Sequence, residues 1–181
     1  MKLSDSLLLY AVTDRSWLNG KTLSKQVEES IKGGVTFLQL REKELGYDEF
    51  LKEAFEIKAL TDKYSIPFVI NDNIDIAIAC GADGAHVGQE DMHAGKARAL
   101  IGEGKILGIS AHTVEEAVEA EKNGADYLGV GAMFMTSTKQ IEEPLSIDVL
   151  KDICAAVSIP VVAIGGINET NILQLKGTGI A

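Results

Sequence analysis

The chain has 181 residues, of which 46% are hydrophobic, and a mean hydropathy of +0.10. This size and composition suit one compact domain with its own core and leave little room for a second domain of ordinary size. The formal net charge of −10 argues against nucleic acid as the main ligand, because binding to a phosphate backbone requires an excess of Lys and Arg. Small phosphorylated ligands stay compatible with this charge if a few cations are concentrated in one pocket.

No apolar run approaches the length needed to span a bilayer, and the first residues lack the basic region and apolar stretch of a signal peptide. We therefore expect a cytoplasmic protein with no membrane partner. Cys80 and Cys154 lie in apolar segments without the spacing of metal ligands, so we expect buried free thiols rather than a disulfide or a zinc site. The sequence leaves the oligomeric state open, a homo-oligomer included.

Apolar runs typical of buried strands alternate with helical patterns along the whole chain, which predicts βα units that build a parallel sheet. The predicted strands are 7–13, 36–41, 67–71, 84–87, 106–110, 127–131 and 161–164. The predicted helices are 23–32, 47–64, 74–80, 94–101, 114–123, 147–157 and 170–175. Glycines directly follow four of these helices, at 33–34, 81, 102 and 124, where a left-handed residue commonly ends a helix.

Seven βα units, without a glycine-rich loop after the first strand, favour a (β/α)8 TIM barrel over a doubly wound sheet. After the seventh predicted helix the sequence continues only through 176–181, where an eighth strand would begin. We therefore expect a single (β/α) barrel domain over residues 1–181, truncated before its eighth strand, with the eighth βα unit absent from this sequence. Such a barrel would leave unpaired edges on strands one and seven.

In a barrel, the C-terminal ends of all strands open onto one mouth. The second strand continues into Arg41 and Lys43, and alternation directs these two side chains and Gln39 to the same side. Two cations placed in this way can clamp a diphosphate, the Arg through its planar fork and the Lys as a point charge. The alternative is a solvated loop in which the cations form ordinary salt bridges with Glu42 and Glu44.

The third and fourth strands end beside carboxylates. The third runs into Asn71, Asp72 and Asn73, and the fourth is followed by Glu90 and Asp91. Mg²⁺ is commonly held by one or two carboxylates, with water and substrate phosphates completing an octahedron of oxygens. Asp72 and Asp91 therefore suit a metal shared with a diphosphate. The alternative is that Asp72 or Asn73, and Glu90 or Asp91, cap the helices that follow.

The later strand ends carry hydroxyls and glycines. Thr113 begins a capping box, so Ser110 is the better candidate for a ligand contact after the fifth strand. The sixth strand leads to the Thr-Ser-Thr-Lys loop 136–139, and the seventh ends in Gly165-Gly166, whose backbone N–H groups can approach an anion. His86 fits better as a packed core residue than as a metal ligand. Together these ends predict a diphosphate–metal site beside a second phosphate site.

Several segments, in this order, resemble the thiamine-phosphate synthase family, and the resemblance covers essentially the whole chain. They are Gln39-Leu40-Arg41-Glu42-Lys43, Ile70-Asn71-Asp72, the block 81–91 ending in Gln89-Glu90-Asp91, Gly129-Val130-Gly131 leading to Thr136-Ser137-Thr138-Lys139, and Val162-Ala163-Ile164-Gly165-Gly166-Ile167. The resemblance implies a barrel that joins hydroxymethylpyrimidine diphosphate to thiazole phosphate, with Mg²⁺ as cofactor. The products would be thiamine phosphate and pyrophosphate.

The resemblance also implies roles for individual residues. The implied metal ligands are Asp72 and Asp91. The implied substrate-binding residues are Gln39, Arg41, Lys43, Asn71, Ser110, Thr136, Thr138, Lys139 and Gly166. Of these, Arg41, Ser110 and Lys139 are the candidate catalytic residues, with Lys139 stabilising the leaving pyrophosphate.

The implied reaction is dissociative: the diphosphate leaves first and the thiazole nitrogen captures the pyrimidine cation, so no strong nucleophile is required from the protein. Two alternatives remain at this point. A thiazole tautomerase would share much of the pattern but would not need Lys43, Asp72, Asp91 and Lys139 together. A phosphate-binding or inactive barrel is the other alternative, which the missing eighth strand would favour.

Overall fold

The computed structural model describes residues 2–88, 92–136 and 143–181. Its seven strands form one sheet in chain order, and every neighbouring pair is parallel. The strands are β1 (Tyr10–Val12), β2 (Phe37–Leu40), β3 (Phe68–Asn71), β4 (Gly84–Val87), β5 (Ile106–Ala111), β6 (Tyr127–Val130) and β7 (Val161–Ala163). The α-helices are α1 (Leu3–Ser6), α2 (Leu23–Lys32), α3 (Tyr47–Tyr64), α4 (Ile74–Ala79), α5 (Ala94–Ile101), α6 (Val114–Lys122) and α7 (Ile147–Ala156).

The predicted alternation of strands and helices is confirmed. α2, α3 and α5 have the predicted bounds, and α4, α6 and α7 each end one residue earlier. Two predictions were wrong in detail. The segment 170–175 contains a 3-10 helix, Ile172–Leu175, rather than an α-helix, and β1 begins at Tyr10 rather than at residue 7. Leu7 instead packs into a buried cluster with Leu3 from the unpredicted helix α1.

Contacts across the inner face show that the sheet is curled. Tyr10 of β1 and Phe37 of β2 lie against Tyr127 of β6, with ring centroids 5.8 and 5.7 Å apart. In a flat sheet β1 and β6 would be separated by roughly 24 Å, five strand spacings. The hydroxyl oxygens of Tyr10 and Tyr127 are instead 2.6 Å apart. The predicted TIM-like α/β architecture is therefore confirmed, with the helices packed on the outer face.

Strands β1 and β7 are the edges of the sheet within the described ranges. A cleft of about 690 Å³ lies between them and is lined by Tyr10 and Val12 on one side and by Val162 and Ile164 on the other. The backbone N–H of Ala181 donates to the carbonyl oxygen of Val161 at 2.9 Å, along the outer edge of β7. In the part of the chain that the structure describes, no strand therefore pairs with the outer edge of β1 or β7, and one backbone hydrogen bond from Ala181 reaches the edge of β7.

The core forms between the outer face of the sheet and the helices. Phe68, Val69 and Ile70 of β3 are all fully buried, as expected for a strand that is covered on both faces. Cys80 is buried and Cys154 is half-buried, and both are free thiols. Among the helices in the described ranges, none is both long enough and apolar enough to cross a bilayer.

Arg98 of α5 joins two loops at the N-terminal end of the sheet. Its guanidinium donates to the carbonyl oxygens of Gly102 and Lys105, each at 2.7 Å, just beyond the end of α5. It also donates to the carbonyl oxygen of Gly124 at 2.8 Å and to Oδ2 of Asp126 at 2.6 Å, just beyond α6. One cation therefore satisfies the ends of two neighbouring helices.

We predict that Arg98→Ala lowers the free energy of unfolding by about 3 kcal/mol, because these acceptors lose a charged donor. Urea unfolding measures this loss. The control is Lys96→Ala on an exposed position of the same helix, where we expect a change of about 0.5 kcal/mol or less. Equal losses in the two variants would contradict the role given to Arg98.

Candidate active site

Two cavities adjoin the C-terminal ends of the strands. The larger, about 490 Å³, is lined by Arg41 and Thr136 among others. The smaller, about 160 Å³, lies inside the curled sheet and is lined by Gln39, Arg41 and Asn71. Four of the predicted substrate-binding residues therefore come together, and Arg41 lines both cavities.

Asp72 and Lys43, predicted at two neighbouring strand ends, are in direct contact. Nζ of Lys43 donates to Oδ2 of Asp72 at 2.7 Å. Asp72 has a φ of +61°, in the left-handed region that few non-glycine residues occupy. Its backbone N–H donates to the carbonyl oxygen of His86 at 2.8 Å, which ties this turn to β4. The backbone thus directs the Asp72 carboxylate toward the loop that follows β2.

The helix-capping alternative for Asp72 is excluded by the geometry of α4. The N-cap of this helix is Asn73, whose Oδ1 accepts a hydrogen bond from the backbone N–H of Ile76 at 3.0 Å. Likewise, His93 is the N-cap of α5, with its Nδ1 accepting from the N–H of Gly95 at 3.3 Å. Asp72 is therefore not needed to begin a helix, and its carboxylate pairs with a cation instead.

A chain of hydrogen bonds crosses the interior of the sheet and ends at Ser110. Nε2 of Gln39 donates to the hydroxyl of Tyr10 at 2.6 Å, and the hydroxyls of Tyr10 and Tyr127 are 2.6 Å apart. The Tyr127 hydroxyl lies 2.9 Å from Nδ1 of His86, and Nε2 of His86 lies 3.0 Å from Oγ of Ser110. Two predicted site residues, Gln39 and Ser110, are thus linked through side chains of three other strands.

The donor of the first hydrogen bond in this chain is fixed by the chemistry of the Gln39 amide. An amide nitrogen only donates, so Tyr10 accepts from Gln39, whereas either hydroxyl can be the donor between Tyr10 and Tyr127. If Tyr127 donates to Nδ1 of His86, the neutral imidazole carries its hydrogen on Nε2, facing Ser110. Burial raises the pKa of both Tyr10 and Tyr127 well above the usual range, so both hydroxyls keep their hydrogens.

Gly108 of β5 makes room for this chain. A Cβ at this position would lie 2.2 Å from Cζ of Tyr127 and 2.4 Å from Nδ1 of His86, closer than any packed side chain tolerates. His86 is buried, with 7% of its surface exposed, which fits the prediction of a packed core histidine. Its contact with Ser110 nevertheless connects it to the candidate site.

The loops after β6 and β7 pack against each other at the mouth. The carbonyl oxygen of Gly165 accepts from the N–H of Phe134 at 3.0 Å. Gly166 has a φ of +65°, and a Cβ there would lie 2.3 Å from the carbonyl oxygen of Met135. Thr136 lines the larger cavity and the cleft between β1 and β7, and Gly166 lines the cleft. These two predicted residues are therefore on neighbouring loops.

Residues after β1 also line the larger cavity, and only their place at a strand end could have indicated them beforehand. Oγ1 of Thr13 accepts from the backbone N–H of Arg41 at 2.9 Å and thereby holds the end of β2. Asp14 lines the same cavity, and hydrogen bonds from Ser16 hold the pKa of Asp14 below its usual range. His112 lines this cavity as well. None of these residues was predicted from the sequence as part of the site.

The remaining predicted residues, Asp91, Thr138 and Lys139, lie outside the described ranges. Within those ranges, no group of three or more His, Cys, Asp or Glu side chains is arranged to hold a metal ion. Asp72 and the neighbouring amide of Asn71 offer the hard oxygen donors that Mg²⁺ prefers. The donor chemistry of this strand end therefore fits Mg²⁺, with a second carboxylate still to be supplied.

Comparison with known proteins agrees with the fold and the motifs. A family model described as thiamine monophosphate synthase matches residues 9–181. The thiamine-phosphate synthase of Clostridium tetani is 55% identical over 172 residues, which cover 95% of this chain and 82% of that protein. The thiamine-phosphate synthase of Ruminiclostridium cellulolyticum is 54% identical over 180 residues, covering 99% and 86%. The structure of thiamine phosphate pyrophosphorylase from Pyrococcus furiosus is similar with a TM-score of 0.88 at 39% identity, covering 99% of this chain and 85% of that chain. This chain therefore belongs to the thiamine monophosphate synthase family.

Proposed function

We propose that this chain is a thiamine-phosphate synthase that couples hydroxymethylpyrimidine diphosphate to thiazole phosphate and releases pyrophosphate. The observation that carries the proposal is the contact of Lys43 with Asp72, 2.7 Å apart, in a member of this family. A metal–diphosphate site needs an anionic ligand for the metal and a cation for the phosphate oxygens on adjacent loops. We expect the chain to act as one domain on these small molecules, in the cytoplasm.

The diphosphate would bind where β2 and β3 end. Arg41 lines both cavities and can present its planar fork to two phosphate oxygens, while Lys43 adds a compact charge beside it. Asn71 lines the smaller cavity with Gln39, so amide groups are available for the part of the substrate that enters the sheet interior. The protein as a whole is acidic, so this concentration of cations would decide where an anion binds.

Asp72 and Asp91 would hold Mg²⁺ at the same mouth. When bound, the ion would neutralise negative charge that develops on the departing diphosphate. Lys43 now pairs with Asp72, and a metal on that carboxylate would leave the ammonium group of Lys43 to the phosphate oxygens. The two residues would then act as partners on one ligand rather than on each other.

Departure of the diphosphate before attack would require donors aimed at the leaving group rather than a nucleophile. Lys139 and Thr138 would serve in this role from the loop after β6. Ser110 would serve from β5, because the tautomer of His86 with its hydrogen on Nε2 would donate to Ser110 and leave the hydroxyl hydrogen for the leaving group. The pyrimidine cation left behind would be captured by the thiazole nitrogen.

The thiazole phosphate would bind between the loops after β6 and β7, through Thr136 and the backbone around Gly166. The close approach of these loops supports the assignment, since backbone N–H groups near a glycine turn can surround an anion. A coupling assay with both substrates and Mg²⁺ tests the function. A tautomerase or a phosphate-binding barrel would form no thiamine phosphate in this assay.

We predict that pyrophosphate binds in a Mg²⁺-dependent way and that Asp72→Asn abolishes most of the dependence, because the metal loses an anionic ligand. Isothermal calorimetry with and without Mg²⁺ measures the effect. Asp75→Asn, on an exposed position at the start of α4, is the matched control and should bind as the unmodified protein does. Binding that is indifferent to the metal would count against the synthase.

We also predict that Lys139→Ala lowers kcat about 100-fold or more while the fold stays intact, because one charged donor to the leaving group is lost. Single-turnover kinetics measure the rate, and thermal unfolding checks the fold. Lys151→Ala, on α7 and paired only with the exposed Asp148 in the described part of the chain, controls for loss of a positive charge. An unchanged kcat would rule out this role for Lys139.

A further inference from the structure

Two buried carboxyl groups share one arginine beside the candidate site. Nε of Arg15 donates to Oε2 of Glu42 at 2.9 Å, and Nη2 of Arg15 donates to Oε1 of Glu53 at 2.6 Å. The side chain of Glu42 is 2% exposed and that of Glu53 is 16% exposed. Three segments meet here: the 3-10 helix Arg15–Trp17, the loop after β2, and α3.

The second oxygens of the two carboxyl groups are not satisfied by the rest of the described chain. Oε1 of Glu42 and Oε2 of Glu53 are buried and lack a hydrogen-bond partner there, while both groups are held by the same guanidinium. Two ionised carboxylates only accept hydrogen bonds, so they cannot satisfy one another. One guanidinium also leaves the cluster with an uncompensated buried negative charge. A single added proton removes both defects, because it supplies a donor and neutralises that charge.

We infer that Glu53 and Glu42 share one proton beneath Arg15, and that this carboxylic acid–carboxylate pair is a positioning device for the loop that carries Arg41 and Lys43. The proton comes from solvent, resides on Oε2 of Glu53 and is donated to Oε1 of Glu42. No other covalent bond changes.

The place of Glu42 in the chain connects the pair to the two cations at the mouth. Glu42 lies between Arg41 and Lys43, so fixing its carboxylate on Arg15 and Glu53 fixes the backbone from which both cations project. Thr13 holds the same segment from the other side through the backbone of Arg41. The residues of the pair are thus positioning residues, which act on an anion only through their neighbours.

The electrostatics of Glu53 support a shared proton. Burial, followed by the nearby Glu42 carboxylate, raises the pKa of Glu53 to about 7 against the opposing effect of Arg15. The charged groups in contact with Glu53 are Arg15 from the 3-10 helix and Glu42 from the loop after β2. On its own helix, the residues about one turn away are Glu49 and Glu56, which are also acidic. Of the two groups in contact with Glu53, Glu42 favours the protonated form and Arg15 opposes it.

The sign of the resulting pH dependence follows from this shift. The folded state keeps the proton up to about pH 7, whereas the unfolded chain releases it near the ordinary value of 4.5. Glu53 therefore contributes stability that is fully present below pH 4.5 and is lost as the pH rises through 7. Above that pH the two carboxylates repel each other and the loop after β2 loses its fixed position.

We predict that Glu53→Gln removes this titration, because the amide nitrogen of glutamine donates to Glu42 at every pH. Carbon-13 NMR of the glutamate carboxyl groups in the unmodified protein should show one carboxyl that titrates near pH 7, and this signal should be missing from Glu53→Gln. The control is Glu56→Gln, at an exposed position three residues further along α3, which should retain the signal. A spectrum of the unmodified protein with all glutamates titrating below pH 5.5 would overturn the shared proton, whether or not the variant folds.

The single tryptophan of the chain reports on the positioning role. Trp17 ends the 3-10 helix that contains Arg15, and it lines the larger cavity together with Arg41. Its fluorescence should change with a midpoint near pH 7 in the unmodified protein and in Glu56→Gln, but not in Glu53→Gln. A carboxyl that titrates while Trp17 fluorescence stays constant would overturn the positioning role and leave only a shared proton.

The consequence for the ligand rests on the proposed function. At pH 6, Glu53→Gln and the unmodified protein should bind pyrophosphate with Mg²⁺ equally tightly. At pH 8.5 the variant should bind it at least about three-fold more tightly than the unmodified protein, because only the unmodified protein then has two ionised carboxylates in the pair. Comparing the two proteins at one pH cancels the ionisation of pyrophosphate itself. Equal affinity at pH 8.5 overturns the positioning role. Absence of coupling activity together with intact titrations counts against the proposed function alone.

Discussion

The hydrogen bond between Tyr10 and Tyr127 connects strands that a flat sheet would keep far apart, and the arrangement of the mouth depends on this closure. Both rings pack against Phe37, and the 2.6 Å contact between their hydroxyls forms among these aromatic rings on the inner face of the sheet. Because the sheet closes around this contact, the C-terminal ends of β2, β3 and β5 face one space. The same hydroxyls connect the Gln39 amide to Ser110 through His86. One interior contact therefore contributes both to the curvature of the sheet and to the geometry of the site.

At the end of β3, the neighbouring residues Asp72 and Asn73 have different roles, which the sequence alone does not distinguish. Asn73 begins α4, which satisfies an N–H group that the helix itself leaves without a partner. Asp72 is thereby released from capping, and its left-handed backbone directs the carboxylate toward Lys43. A non-glycine residue in this region costs on the order of 1 kcal/mol or more, and such conformations concentrate at functional sites. The strain is tolerable because the N–H of Asp72 is fixed on the carbonyl oxygen of His86.

Much of the fold could be predicted from local features of the sequence. The apolar spacing and terminal glycines were sufficient to define α2 and α5, and the buried run at Phe68 was sufficient to identify β3. The failures have a common cause: α1, the late start of β1 and the 3-10 helix Ile172–Leu175 depend on what each segment packs against. For the same reason the sequence predicted that Arg41, Lys43 and Asp72 share a mouth but gave no sign of the pairing of Tyr10 with Tyr127. That pairing joins residues that are 117 positions apart.

The acidic chain opposes the binding of anions at the mouth, and carboxylates near the mouth are paired with cations. A net charge of −10 opposes the binding of phosphates, and Glu42 stands directly between the two cations that would bind them. Alternation sends Glu42 to the side away from Arg41 and Lys43, where it is buried against Arg15 rather than exposed to an anion. Asp72 is neutralised by Lys43 in the same region. Glu42 and Asp72 are therefore each matched by a cation, and Glu53 by Arg15 and a proton. The positions of Arg41 and Lys43 at the mouth therefore depend on how firmly Glu42 is held.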